Sequence, residues 1–252
     1  MHIDLVYMVL MLAHILGDFY LQSDKMAKDR KKKYVAVGKH SLVYALTTIG
    51  VLLICIPPCK SRTYLFISVS MCHFIIDTIK YIIEKAPENK LTKIKNNLLI
   101  IDQIIHFFAL AICWYYFGRK IDVNWFISQE MVHLPNLPIT ILLGILCVIK
   151  PIGIWIAGSN LRNYWPADAV NDLSIGSTKN AGKTIGYLER VIVLIFLMYQ
   201  QFGAIAFVLT AKSVARFKEI EKNQKVAEYY LIGTLMSVGS AMLIAVFLGL
   251  AQ

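Results

Sequence analysis

The sequence predicts an all-α, polytopic membrane protein of seven or eight transmembrane helices, with a polar metal site inside an N-terminal four-helix bundle. Three observations predict it. The chain of 252 residues is 57% hydrophobic with a mean hydropathy of +0.58. That leaves too little polar surface for a soluble globule, and the apolar residues fall in separate blocks of about 20, the length that crosses roughly 30 Å of hydrocarbon. The basic residues gather in short segments between these blocks, where the positive-inside rule expects them. Three times in the first 106 residues, a histidine and an aspartate stand four positions apart inside an apolar block: His14/Asp18, His73/Asp77 and Asp102/His106.

The blocks run over 3–22, 39–57, 62–84, 97–117, 137–158, 184–202, 203–218 and 227–250. The leading MHID carries no basic residue and the first block contains His14 and Asp18, so it reads as a permanent span rather than a cleaved leader. The segment after it holds Lys25, Lys28, Arg30, Lys31, Lys32 and Lys33, and the one between the third and fourth blocks holds Lys85, Lys90, Lys93 and Lys95. Both are expected to be cytoplasmic, which places the N-terminus outside. The seventh block has a short apolar part and reads as a short span or a re-entrant arm. Charge favours the span, because otherwise Lys212, Arg216, Lys218, Lys222 and Lys225 would all lie outside. Both termini are then extracytoplasmic, in a bacterial inner membrane. The expected organisation is an N-terminal membrane module over 1–117, an extracytoplasmic connection over 118–136 and a C-terminal module over 137–252, whose polar segment 159–182 forms a cytoplasmic loop able to cover the site.

Composition excludes two other classes. The net charge of +10 is accounted for by the loop lysines and arginines, so nucleic acid is not an expected partner. The five cysteines form no CxxC pair and lie in or beside apolar blocks, where a free thiol behaves as a small hydrophobe and no disulfide framework is implied.

The His/Asp pairs carry the chemistry. Residues at i and i+4 share a helix face about 5 to 6 Å apart at Cβ, close enough for both side chains to reach one ion. Each carboxylate near the bilayer centre costs roughly 2.5 to 3.5 kcal/mol unless ligation or pairing offsets it. In the expected topology His14, Asp18, His40, His73, Asp77, Asp102 and His106 all fall in the cytoplasmic half, which is how helix bundles assemble metal centres. Seven ligands exceed the needs of one tetrahedral ion, so two ions about 3.5 to 4 Å apart are expected. An imidazole and carboxylate set without thiolate suits Zn, Mn or Fe. The plain alternative is three intrahelical hydrogen bonds or a proton relay, which gives no reason for a common depth.

Around this set, Gln22 continues the His14/Asp18 stripe and Tyr44 stands one turn after His40. Either supports the ligands or holds a substrate oxygen, unless they are an interfacial glutamine and a packed tyrosine. Lys80 either meets a substrate anion or snorkels toward the headgroups. Glu189 and Arg190 interrupt the sixth block, and Lys212 and Arg216 are spaced i, i+4 on the seventh. Glu189 either pairs with one of these cations, or Lys212 and Arg216 form an anion clamp for phosphate. His2 and His133 fall in exposed regions on the opposite side.

The stretches AHILGDFYLQ, KHSLVYA, CHFIIDTIK and IDQIIHF resemble the motif series of an uncharacterised bacterial membrane family known only as a domain of unknown function. The resemblance covers about the first 120 residues. The later KTIGYLER and AKSVARFKE stretches look like an extension that some members carry. The His/Asp pattern is more loosely similar to bacterial membrane-bound metal-dependent hydrolases, which would make the seven residues metal ligands or catalytic groups.

The expected function is therefore a membrane-embedded, metal-dependent hydrolase with a dinuclear site near the cytoplasmic leaflet, acting on a lipid or lipid-linked phosphate ester. Its ions would lower the pKa of a water toward about 7. Asp77 or Asp102 would serve as general base. The rivals are a metal-ion or proton transporter, which buried ionisable residues mark equally well, and a signalling or assembly protein with a structural metal.

Overall fold

The computed structural model describes residues 4–87, 97–121, 137–159, 181–222 and 224–250, and every regular element among them is helical. The chain divides into two compact units, His2–Leu143 and Gly144–Gln252, the latter grouped with Met1.

In the first unit Asp4 starts α1 (Leu5–Ile15), its Oδ1 accepting from the Val6 amide at 2.8 Å and from the Trp114 indole at 2.9 Å. The helix continues as a π segment, Leu16–Tyr20, closed by the Leu21 amide on the Leu16 carbonyl at 2.8 Å. Ser23 then caps α2 (Asp24–Arg30), accepting from the Met26 amide, and α2 leaves its predecessor at 88°. Next come α3 (Tyr34–Cys55) and α4 (Lys60–Lys85), separated by Pro57 and Pro58, which cannot extend a helix. The last helix lying wholly in this unit is α5 (Leu98–Cys113), extended by a second π segment, Trp114–Gly118. α3 packs on α4, α4 on α5, and α1 on both α3 and α5, closing a four-helix ring, while α2 lies against α3.

A four-residue period explains why these helices face one another. α3 buries His40, Tyr44, Thr48 and Leu52, α4 buries Leu65, Val69, His73 and Asp77, and α5 buries Leu98, Asp102, His106 and Leu110. The intervening residues on α4, among them Ile67, Met71, Ile75 and Ile79, are about half exposed. Polar groups inside and large aliphatics outside invert the pattern of a soluble helix, and a hydrocarbon surround is what makes that inversion stable.

α6 (Leu137–Gly158) leads into the second unit, which holds α7 (Ala181–Met198), α8 (Phe202–Ala215), α9 (Phe217–Lys222) and α10 (Gln224–Phe247). There α7 packs on α8 and α10, and α9 on α10.

Among the described residues, five helices are long and apolar enough to cross a membrane: α3, α4, α5 with its π extension, α6 from Pro138, and α10. The bent pair formed by Leu5–Tyr20 and α2 makes a sixth. Against the seven or eight spans expected from hydropathy blocks, five or six candidates among the described helices meet the length and composition of a span. The two blocks that drop out have physical reasons. α7 includes Lys183, Glu189 and Arg190 within 18 residues, and α8 has 14 residues, about 21 Å against the roughly 30 Å of a hydrocarbon core. The expected loop over 85–96, the connection over 118–136 and the covering loop over 159–182 lie outside the described residues except at their ends, as do His2 and His133.

Candidate metal centre

The buried stripes of α3, α4 and α5 and the π segment after α1 converge on one polar cluster. His14, Asp18, His40, His73, Asp77, Asp102 and His106 are each 6% exposed or less. Two trios have ligand atoms mutually within 4.8 Å: Asp18, His40 and His73, and His73, Asp77 and His106. Four chain segments contribute to these five residues, and His73 belongs to both sets.

His40 lies between two carboxylates, with Nε2 3.1 Å from Asp18 Oδ1 and 3.4 Å from Asp77 Oδ2. Neither approach has hydrogen-bond geometry: both ring nitrogens of His40 are buried without a hydrogen bond, as are both of His73, Nε2 of His106, and Oδ1 of Asp77 and of Asp102. Each such atom costs about 1–3 kcal/mol if left unpaired. His106 shows how one lone pair is aimed. Its Nδ1 lies 2.9 Å from the Asp102 carbonyl, so that nitrogen carries the proton and Nε2 is left as the electron-pair donor, the arrangement that orients an imidazole ligand. Each neutral imidazole has one lone pair to offer, so His40, His73 and His106 bring up to three nitrogen ligands beside the carboxylates of the two trios, a donor set that a borderline divalent cation completes.

The centre also contains two fixed cations. Arg30 reaches back from α2 to place Nη1 2.9 Å from Asp77 Oδ2 and 3.5 Å from Asp18 Oδ1. Lys80 Nζ lies 2.6 Å from Asp102 Oδ2, so this lysine points into the bundle instead of snorkelling outward. Both side chains are 14% exposed, against 4% or less for the three carboxylates, so the cations form the rim of the site and the carboxylates its floor. Three carboxylates against two cations leave one negative charge in excess. One divalent ion turns this to a single positive charge, whereas two ions would leave three.

His14 and Asp18, expected to share an ion, part company. The π segment changes the register after Ile15, turning Asp18 toward His40, Arg30 and Gln103, whose Nε2 donates to Asp18 Oδ2 at 2.8 Å. Both His14 nitrogens have protein partners, Tyr44 OH at 3.4 Å and Gln103 Oε1 at 3.2 Å. His14 stands beside the trios, its ring stacked 5.0 Å from that of His106. π segments of this kind recur where a helix must re-aim one functional side chain.

Tyr44 stacks on His73 with ring centroids 3.5 Å apart, and it can approach this closely because Gly17 faces it: a Cβ at 17 would meet Tyr44 Cδ2 at 2.9 Å. Beside His73 and His106 is a cavity of about 10 Å³, also lined by Tyr44, Cys72 and Cys113, room for a single water. Gln22 is partly buried, and its Nε2 has no hydrogen-bond partner.

Sequence reasoning did not single out Arg30 or Gln103. Arg30 reads as one more loop charge, and only the 88° bend brings it back over the bundle. Gln103 follows Asp102 directly, yet its amide joins Asp18, Asp102 and His14.

The other expected anion-binding residues belong to the second unit. Lys212 Nζ lies 2.6 Å from Glu189 Oε2, and the buried Arg190 donates to the Val148 and Ile149 carbonyls and to Ser237 Oγ. Of the two readings the sequence left open for Lys212, pairing with Glu189 is the contact present. Arg216 is exposed at the end of α8.

Residues 6–134, half of the chain, match the family described as "Protein of unknown function (DUF3307)", and the chain belongs to that family. No curated protein and no solved structure matches it.

Proposed function

We propose that this member of the family is a membrane-embedded, metal-dependent hydrolase of a lipid or lipid-linked phosphate ester, with its centre toward the cytoplasmic face of a bacterial inner membrane. The observation that carries the reading is the set of buried nitrogen and oxygen atoms of His40, His73, His106 and Asp77 that converge with Asp18 and have no hydrogen-bond donors or acceptors of their own. A proton relay or a set of local hydrogen bonds would pair these atoms with one another.

The charge balance of the centre favours one Zn, Mn or Fe ion over the two expected from ligand number. The ion would be held by Asp18, His40 and His73, or by His73, Asp77 and His106. When bound, it would supply Lewis acidity to a phosphoryl oxygen and lower the pKa of a water. The chain does the rest. Asp102 stands outside both trios, with Oδ2 held by Lys80 and Oδ1 without a hydrogen bond, so it is the carboxylate placed to accept a proton, and Asp77 is assigned to ligation. Arg30, at the rim, has the planar fork that matches phosphate.

The test is release of inorganic phosphate from short-chain phosphatidic acid by purified protein before and after chelation. Chelation should abolish release and the metal restore it, and Asp102→Asn should bind metal normally yet turn over at least about 100-fold more slowly, the lower range for a lost general base. Bound metal with no release of phosphate from phosphomonoester lipids and no cleavage of phosphodiester lipids to an alcohol and a phosphomonoester would leave a structural centre. Ion flux through liposomes would make it a transporter.

A further inference from the structure

A second feature of the first unit lies outside the metal centre. Where α2 meets the start of α3, a cavity of about 260 Å³ is lined by Ser23, Lys25, Met26, Asp29, Lys33, Val35, Ala36 and Lys39. Its chemistry is divided. Lys25, Lys33 and Lys39 place three ammonium groups around it, Ser23 adds a hydroxyl, and Met26, Val35 and Ala36 give it an apolar wall. None of the three lysines is in an ion pair among the described residues. Asp29 is the one carboxylate on the wall, so the lining carries a net charge of +2.

The place in the fold matters as much as the charge. The cavity sits at the end of the bundle where α2 turns away at 88° from the apolar α1, and its neighbours Leu21, Tyr34 and Val35 are 56, 48 and 70% exposed. Apolar side chains exposed beside a ring of lysines mark the level where acyl chains meet headgroups. We infer that this cavity binds the phosphate of an anionic lipid, in the form of a phosphomonoester headgroup whose charge of about −1.5 to −2 matches the lining, with the first carbons of the lipid against Met26 and Val35. Free phosphate shares the charge but has nothing to place on the apolar wall. The inference rests on the membrane reading of the chain and not on hydrolysis.

The experiment measures binding to the full-length, detergent-purified protein by thermal midpoint and native mass spectrometry, at about 0.15 M salt. The ligands are a non-hydrolysable phosphonate analogue of dioctanoyl phosphatidic acid, dioctanoyl phosphatidylcholine and inorganic phosphate. The wild type should bind the phosphonate one to one, and bind phosphatidylcholine weakly or not at all. K25Q/K33Q/K39Q should lose affinity on the order of 100-fold, from roughly fivefold per lysine. The charge-matched K28Q/K31Q/K32Q, whose lysines do not line the cavity, should lose at least about tenfold less than the first triple variant, because the three ammonium groups that would contact the phosphate remain. Equal losses in the two triple variants, or equal binding of phosphatidylcholine, would overturn the inference. Binding of inorganic phosphate as tight as that of the phosphonate would overturn the lipid part and leave an anion site. Because the probe cannot be hydrolysed, a negative result here is independent of any failure to observe turnover.

Discussion

Both compact units bury charged side chains in apolar helices, but they differ in how completely the polar atoms are used. In the second unit Arg190 places Nε 2.5 Å from the Val148 carbonyl, Nη1 3.2 Å from Ser237 Oγ and Nη2 3.3 Å from the Ile149 carbonyl, close to Pro151 where a helix cannot complete its own ladder. Glu189 has Lys212 at 2.6 Å. In the first unit the carboxylates have Arg30 and Lys80, yet five ring nitrogens and two carboxylate oxygens are buried without hydrogen bonds, and two His/Asp trios hold ligand atoms within 4.8 Å of one another. Buried charge by itself therefore does not mark a site. The second unit has spent its charges on its own architecture, and the first keeps buried ligand atoms that no hydrogen bond uses.

Four outcomes would break or sharpen this contrast. The largest effect is expected from cutting the ion pair in the second unit. Lys212→Gln leaves Glu189 buried and unpaired, which costs about 3 to 5 kcal/mol in a fully buried pair, and the lower end applies because Lys212 is 21% exposed. Thermal unfolding should show the loss, and adding Glu189→Gln should recover most of it with metal content unchanged throughout. A double variant as unstable as the single one would mean that Lys212 has another task, the anion-binding role included.

Next in size is stabilisation by metal. A saturating ion at 100 times its Kd should raise wild-type stability by about 2.7 kcal/mol and leave unmoved whichever of His40→Ala and Asp77→Ala lacks a ligand of the occupied trio. Equal stabilisation of these variants would place the ion elsewhere.

A matched pair of glycines tests the same contrast at lower cost. A Cβ at Gly17 would meet the Tyr44 ring at 2.9 Å, and one at Gly153 would meet the Tyr187 ring at 2.8 Å and Arg190 Nη2 at 3.2 Å. Gly17→Ala and Gly153→Ala should each cost about 1–3 kcal/mol through overpacking. Only Gly17→Ala should weaken metal affinity, because Tyr44 carries the push onto His73. The smallest effect is Tyr44→Phe, which removes the hydroxyl from His14 and should cost about 0.5–1.5 kcal/mol while the stacking on His73 and the bound metal persist.

Much of this was legible in the sequence because a four-residue period survives folding. His40, Tyr44, Thr48 and Leu52, like Leu65, Val69, His73 and Asp77, stand in the sequence at the spacing at which they are buried. What was not legible came from departures from that period. The π register at Leu16–Tyr20 separates Asp18 from His14, and the 88° bend returns Arg30 to a carboxylate 47 residues away. Neither leaves a local signal: Arg30 stands among five lysines that obey the positive-inside rule equally well. The shortness of the seventh block was itself legible: its apolar part reads as brief, and α8 has 14 residues.

The measurement that bears most directly on the central claim is elemental analysis of protein purified without chelator, comparing the wild type with His73→Ala and with the Lys212→Gln, Glu189→Gln double variant. The account predicts close to one Zn, Mn or Fe ion per chain in the wild type and in the double variant, and none in His73→Ala, whose ring belongs to both candidate trios. A wild-type protein without stoichiometric metal, or a His73→Ala variant that keeps it, would contradict the claim that this buried His/Asp cluster is a metal centre.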